Sequence, residues 1–169
     1  LMTRDSMTGL YNHSTTTELI TKALAQAHRE DNQHAMAMID IDHFKHVNDT
    51  HGHLAGDQVI ITLARLLKSR LRLSDIIGRY GGEEFVVLLK GISAEKAATL
   101  IDSLREDFAL VDFHAGDVRF RCTFSAGISR FPAHPSTESL RLSADQALYR
   151  AKHQGRNQIV ISTELADER

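Results

Sequence analysis

The sequence has 169 residues, about the length of one domain. Hydrophobic residues make up 42% of it and glycines number 10, a balance that excludes collagen-like and disordered chains. The net charge of −2 lacks the strongly basic balance expected of a protein that binds nucleic-acid polymers.

The cysteine count is compatible with a reducing compartment, and the apolar runs bear on membrane insertion. No apolar run reaches the roughly 18 residues that a membrane span needs, and no signal peptide is recognisable. Cys122 is the only cysteine, so no internal disulfide can form. We therefore expect a cytoplasmic domain that does not itself contact a membrane.

Hydrophobic periodicity and turn residues predict alternating helices and strands. In chain order we expect a helix over 15–30, a strand over 34–41, a short helix capped by Asp42 and reaching 48, a helix over 55–71, a hairpin of 75–80 and 83–89, a helix over 94–111, a strand over 118–131, a helix over 136–153 and a strand over 157–162. No repeat or linker interrupts the pattern, so residues 1–169 are predicted to form a single domain.

This order predicts an α/β (α+β) fold, a mixed β-sheet with a central antiparallel hairpin flanked by helices that lie mostly on one face. Gly81 and Gly82 suit a tight two-residue turn with positive φ, and they would let a ligand approach the backbone closely. Cys122 is interpreted as a buried strand residue.

Four carboxylates lie at the ends of predicted elements. Asp40 and Asp42 end the first strand, and Glu83 and Glu84 follow the glycine turn. If that strand pairs beside the hairpin, Asp40 and Glu83 meet at one rim of the sheet, where a divalent cation would relieve their repulsion. The alternative is that Asp42 is only a helix cap and that the glutamates are exposed at a hairpin tip.

Other polar residues suit a nucleotide. Backbone amides of residues 43–45 begin a helix and could hold an anion, and Lys152 with Arg156 could clamp a triphosphate. Asn48 and Asp57 carry donors and acceptors that match guanine. Taken singly, Lys152, Arg156, Asn48 and Asp57 are each better interpreted as helix-end or turn residues.

Five sequence blocks occur in a fixed order: Asp5-Ser6-Met7-Thr8-Gly9-Leu10-Tyr11-Asn12, Asp40-Ile41-Asp42-His43-Phe44-Lys45, Asn48 to Asp57, Arg79-Tyr80-Gly81-Gly82-Glu83-Glu84-Phe85 and Ala151 to Asn157. Together they resemble the GGDEF family of diguanylate cyclases, with glutamate as an accepted variant at the third signature position. The resemblance covers about Asp5 to Ile161. It implies a sheet like that of nucleotidyl cyclases and polymerase palms, and condensation of two GTP into cyclic di-GMP with release of two pyrophosphates.

The resemblance also implies roles for individual residues. The metal ligands, for Mg²⁺ or Mn²⁺, would be Asp40, the Ile41 carbonyl and Glu83. Glu83 would also be the general base, and Glu84 would support it or bind a second ion. The nucleotide would be bound by Asn48 and Asp57 at guanine, by His53, by Gly81 and Gly82 at the turn, and by Phe44, Lys45, Lys152 and Arg156 at the triphosphate.

Since one domain would hold one GTP, a homodimer is expected to complete the active site. Arg72 and Asp75 resemble the family's RxxD inhibitory site, at which cyclic di-GMP binds; otherwise they are a helix-ending arginine and a cap. Family members usually carry a sensory domain ahead of this one, so we expect a C-terminal part of a longer regulated protein.

Three alternatives remain open at this point. The domain could have lost turnover and act as a receptor for GTP or cyclic di-GMP, or it could be a metal-dependent enzyme that acts on another nucleotide. His43, His46, His51 and His53 form a local cluster that could bind zinc, although surface histidines, with His53 alone contacting the nucleotide, explain it better.

Overall fold

The computed structural model describes residues 2–163, so Leu1 and residues 164–169 of the predicted domain lie outside the described residues. The helices are α1 (His13–Arg29), α2 (Phe44–His51), α3 (His53–Arg70), α4 (Ala94–Ala109) and α5 (Thr137–His153). The strands are β1 (His34–Ile41), β2 (Ile76–Gly81), β3 (Glu84–Lys90), β4 (Phe113–Ala115), β5 (Val118–Phe120), β6 (Phe124–Phe131) and β7 (Ile159–Ile161). Within the described residues no helix is long and apolar enough to span a bilayer.

The main sheet has five strands in the order β2-β3-β1-β6-β7. β1 pairs antiparallel with both β3 and β6, β2 pairs antiparallel with β3, and β7 runs parallel to β6. The predicted mixed sheet with an antiparallel hairpin and flanking helices is therefore confirmed. Its register sets Asp40 opposite Glu84, so the acidic end of β1 lies at the turn of the hairpin.

Helices cover both faces of this sheet, so the prediction that they lie mostly on one face is wrong. Ala35, Ala37 and Ile39 of β1 belong to a core with α3 and α4, whereas Met36 and Met38 belong to a second core with α1 and α5. All eight residues of β1 are buried. A strand that is apolar on both faces must pack against other elements on both faces. The unbroken apolar run in the sequence of β1 was the local indication that helices lie on both sides of the sheet.

The expected single strand over 118–131 is also wrong, because it divides into β5 and β6. β5 pairs with β4 in a separate two-stranded sheet, with Phe113 opposite Phe120. Between the two strands Thr123 turns toward Asp42, accepting the Asp42 N–H at its carbonyl (2.9 Å) and donating its hydroxyl to the Asp42 carboxylate (2.7 Å). These bonds redirect the chain at the point where the main sheet begins.

Asp42 does not cap α2, contrary to expectation. The cap position is His43, which is left-handed at φ 55° and makes no side-chain cap bond. Asp42 is buried instead and accepts hydrogen bonds from Thr123, from the Ser125 hydroxyl (2.7 Å) and from the Asn157 N–H (3.0 Å). Its carboxylate thus joins the end of β1 to β6 and to the segment after α5, and fixes the rim of the sheet.

Gly127 brings α5 unusually close to the sheet. A Cβ atom on Gly127 of β6 would lie 2.1 Å from the Ala144 carbonyl oxygen and 2.2 Å from the Leu148 nitrogen, both in α5. Only glycine allows this approach. The contact places the last turn of α5, which carries Lys152, against the end of β1.

Candidate nucleotide and metal site

The carboxylates at the sheet rim converge. Asp40, the penultimate residue of β1, lies directly opposite Glu84 of β3, and the Ile41 N–H donates to the Glu83 carbonyl at 3.3 Å. The Asp40 and Glu83 side chains are close enough to interact with each other. The structure therefore brings Asp40, Ile41, Glu83 and Glu84 together, as the sequence predicted.

The carboxyl group of Asp40 is exposed by only 3%, and the Lys152 ammonium donates a hydrogen bond to its Oδ2 atom. Burial raises the pKa of Asp40 to about 6, Lys152 opposes that rise, and the charge of Glu83 adds to it. Partial burial and the charge of Asp40 also raise the pKa of Glu84. The rim therefore carries a negative charge on Asp40 that is shielded from water and is compensated by Lys152.

Arg79 holds the glycine turn in place through hydrogen bonds to its backbone. Gly81 pairs with Glu84, so the turn centres on Gly82 and Glu83, one residue beyond the expected position. Gly82 has a φ of +49°, which favours glycine. Arg79 donates to the Gly82 carbonyl from Nε (3.0 Å) and Nη2 (2.9 Å), and Nη1 donates to Asp5 (3.1 Å).

Sequence reasoning assigned no role to Arg79 or Asp5. Their ion pair is largely buried, with side chains exposed by 14% and 21%. It ties the segment before α1 to the turn that carries Glu83. The one indication in the sequence was that Asp5 and Arg79 both belong to the recognised sequence blocks, although 74 positions separate them.

A second group of predicted residues lies on α2 and the first turn of α3. The Asn48 Oδ1 atom is fully enclosed and has no hydrogen-bond partner among the described residues. Phe44 lies beside it, and both side chains contact the space over Gly56. Asp57 is partly exposed and no hydrogen bond or ion pair engages its carboxylate within residues 2–163, and His53 is exposed.

The predicted phosphate-binding cations differ in their surroundings. Lys45 is exposed and pairs with Asp49 at 2.8 Å, one turn along α2. Arg156 is exposed in a left-handed conformation (φ 62°) just beyond α5. Among the described residues, Lys152 is the one of these three cations that contacts the acidic rim, through its hydrogen bond to Asp40.

Arg72 and Asp75 form a closed unit at the other end of the hairpin. Asp75 Oδ1 accepts from Arg72 Nη2 and from the Lys90 N–H, both at 3.0 Å, and Oδ2 accepts from the Arg72 N–H at 3.0 Å. The Asp75 side chain is exposed by 1% and that of Arg72 by 59%. Arg72 therefore faces solvent, while Asp75 fixes its position.

The four clustered histidines do not form a metal centre. Among the described residues no three histidine, cysteine, aspartate or glutamate side chains are placed to hold a metal ion. His51 stacks on Phe120 at 3.9 Å, and His46 lies beside Thr50. Cys122 is buried, and burial raises the pKa of its thiol to about 11.

The rim does suit a magnesium-type ion. Such an ion is commonly bound by one or two carboxylates together with water and substrate phosphates, so it needs no three-residue cage. Asp40 and Glu83 supply two hard oxygen ligands whose mutual repulsion the cation would relieve. The backbone carbonyl of Ile41 lies at the same strand end.

Comparisons with known proteins agree with this arrangement. The family model described as "Diguanylate cyclase, GGDEF domain" matches residues 2–158. The chain is 43% identical over 158 residues to the diguanylate cyclase DgcP of Pseudomonas aeruginosa, which covers 94% of this chain and 24% of that protein. It is 38% identical over 166 residues to the probable diguanylate cyclase DgcC of Escherichia coli, which covers 96% of this chain and 44% of that protein.

Solved structures share the fold. The GGDEF domain of DgcB from Caulobacter crescentus, crystallised with c-di-GMP, matches with a TM-score of 0.90 and 31% identity, covering 94% of this chain and 92% of that one. The active GGEEF domain of a diguanylate cyclase from Vibrio cholerae matches with a TM-score of 0.85 and 33% identity over 90% of this chain and 97% of that one. The chain spans less than half the length of the two curated relatives. From residue 2 to residue 158, the chain therefore belongs to the GGDEF-domain family of diguanylate cyclases.

Proposed function

We propose that this domain joins two molecules of GTP into cyclic di-GMP in the cytoplasm, releasing two pyrophosphates. The observation that carries the proposal is the buried carboxylate of Asp40 opposite the acidic hairpin tip, because such a desolvated pair suits a metal–nucleotide complex. Membership of the GGDEF family supports it, as does the glutamate-containing signature shared in kind with an active GGEEF domain.

Glu83 accepts the proton of the ribose 3′-hydroxyl of one GTP. The oxygen then attacks the α-phosphorus of the second GTP, and the bond to pyrophosphate breaks. Asp40, Glu83 and the Ile41 carbonyl would hold Mg²⁺ or Mn²⁺, which would supply positive charge to neutralise the α-phosphate and ease ionisation of the hydroxyl. Glu84 holds Glu83 in place or contributes to a second ion.

Substrate binding is assigned to the remaining predicted residues. Asn48 and Asp57 bind the guanine, and the Asp57 carboxylate is available for the base N–H groups. Lys45, Lys152 and Arg156 neutralise the triphosphate, for which Lys152 exchanges its hydrogen bond to Asp40 for one to a phosphate oxygen. Phe44 and His53 line the same site, and Gly81 and Gly82 let the nucleotide approach the turn.

Two copies of the domain are required, because each holds one GTP and the two reactions cross a twofold axis. Cyclic di-GMP is also proposed to inhibit the enzyme at Arg72 and Asp75. The Arg72 side chain is 59% exposed, and its Nη1 group, which bonds no described residue, can donate to a phosphate or a guanine edge.

Incubation of the protein with GTP and Mg²⁺, followed by chromatographic separation of the products, tests the proposal. Glu83→Gln is expected to abolish turnover and to retain most GTP binding. Glu138→Gln is the matched control, since Glu138 is a 72% exposed glutamate at the start of α5. Binding of GTP or cyclic di-GMP without any product from the unmodified protein would instead identify a receptor, and full activity in Glu83→Gln would refute the role of that residue.

A further inference from the structure

Gly56 lies in the first turn of α3, where nothing in the backbone requires glycine. The residue is helical and buried, and unlike seven other glycines of the chain it has no positive φ. Glycine weakens a helix relative to alanine, so its presence calls for another physical reason. That reason is the space over its Cα atom.

The missing side chain of Gly56 is replaced by parts of α2. A Cβ atom there would lie 1.9 Å from Asn48 Oδ1, 3.1 Å from Asn48 Cγ and 3.1 Å from Phe44 Cζ. The first distance is far below any van der Waals contact, so an alanine and the present Asn48 side chain exclude each other. The amide oxygen of Asn48 therefore fills a notch that exists only because residue 56 is glycine.

In the structure the notch holds the acceptor end of the Asn48 amide. Oδ1 is enclosed and unpaired, whereas Nδ2 is neither hydrogen-bonded nor fully enclosed among the described residues. With the acceptor packed against Gly56, the N–H donors of Asn48 lie outside the notch, and Asp57, the residue after Gly56, has a carboxylate that no hydrogen bond or ion pair engages within residues 2–163. A base that offers an acceptor to Asn48 and N–H donors to Asp57 matches this pair, as the O6, N1 and N2 atoms of guanine do.

We infer that Gly56 is a positioning residue for base selection, which turns the donor side of the Asn48 amide toward the nucleotide. The inference rests on the proposed use of GTP and adds the physical reason for choosing guanine over adenine. Adenine carries a donor where guanine carries O6, so it would face the Asn48 N–H group with another donor. A site built to bond one pattern leaves its polar groups unpaired with the other.

Direct titration with fluorescent GTP and ATP analogues, in the presence of Mg²⁺, tests the inference without turnover. Gly56→Ala is expected to weaken binding of the GTP analogue at least about tenfold and to change binding of the ATP analogue by less than about threefold. Gln58→Ala is the control, because Gln58 is exposed on the same helix two residues away. Failure of the unmodified protein to bind GTP would overturn the proposed function itself; unchanged GTP preference in Gly56→Ala would overturn only the role of Gly56.

A double-mutant cycle separates positioning from general damage to the helix. In the native background, Gly56→Ala is expected to lower the thermal unfolding midpoint because Asn48 must move. In an Asn48→Ala background only Phe44 Cζ remains close to the added methyl group, at 3.1 Å, so Gly56→Ala is expected to lower the midpoint much less and to leave the already lowered GTP preference unchanged. Equal destabilisation in both backgrounds, including failure of the double variant to fold, would contradict the inference.

Discussion

Asp40 carries a charge that weakens the metal-free fold. Its side chain is 3% exposed, and burial raises its pKa from 3.8 to about 6 against the opposing effect of Lys152. The folded protein therefore holds this proton more tightly than the unfolded chain does. The contribution of Asp40 to stability is most favourable below pH 3.8 and is lost as the pH rises through 6.

Asp40→Asn removes the charge and keeps the shape. A pKa difference of about two units is equivalent to about 3 kcal/mol at pH 7. The substituted amide can still accept from Lys152 and can donate to Glu83, although Lys152 loses an ionic partner. We therefore expect the variant to be about 1–3 kcal/mol more stable at pH 7, and about half as much at pH 5.

Urea unfolding between pH 5 and 8, with chelator and without nucleotide, measures this difference. Asp117→Asn provides the control, since Asp117 is exposed between β4 and β5 and its substitution is expected to change stability little at any pH. The reasoning would be refuted if Asp40→Asn were no more stable than the native protein at pH 7, or if its advantage did not shrink in acid. The same variant is expected to lose cyclase activity, because the charge that weakens the fold is the one that binds the metal.

Three further predictions concern residues around the hairpin and the core. Arg79→Lys loses the two bonds to the Gly82 carbonyl, so we expect about 2 kcal/mol less stability and slower GTP turnover with an unchanged circular dichroism spectrum; native stability would contradict this. Asp75→Asn is expected to weaken inhibition by cyclic di-GMP about as much as Arg72→Ala does, because the buried Asp75 holds Arg72, and an inhibition curve like that of the native protein would disprove the link. Alkylation of Cys122 at pH 8 is expected to be at least about a hundredfold slower in the folded protein than in urea, since burial raises the thiol pKa to about 11; equal rates would show that the thiol is accessible.

The long elements of this fold could be predicted because their signals are local. Leu19, Ala23 and Ala27 repeat at helical spacing in α1, and the Gly-Gly pair marks the hairpin. The strand β4 was missed, and β5 was not separated from β6, because three residues each carry too little periodicity, and Val118 is exposed. Their pairing depends on aromatic contacts such as Phe113 with Phe120, which no local pattern records.

The residues of the candidate site could be predicted from the sequence better than the contacts between their side chains. Asp40 and Glu83 could be expected to meet once β1 was placed beside the hairpin. Asp42 was misjudged because an aspartate before a helix usually caps it, whereas here its partners are Thr123 and Ser125, more than 80 residues away. The notch at Gly56 depends on the crossing of two helices, and sequence spacing does not report such a distance.

The close approach at Gly127 restricts the sliding and rotation of α5 on the sheet. Backbone atoms of the helix rest on bare backbone of β6, so a slide or a turn of α5 by one residue would drive a side chain into the strand. The backbone of Lys152 is therefore held at a fixed distance from Asp40. Repacking of the surrounding apolar side chains is expected to leave that distance unchanged. A single methyl group added at position 127 would push α5 away from β6 and so move the Lys152 ammonium away from Asp40.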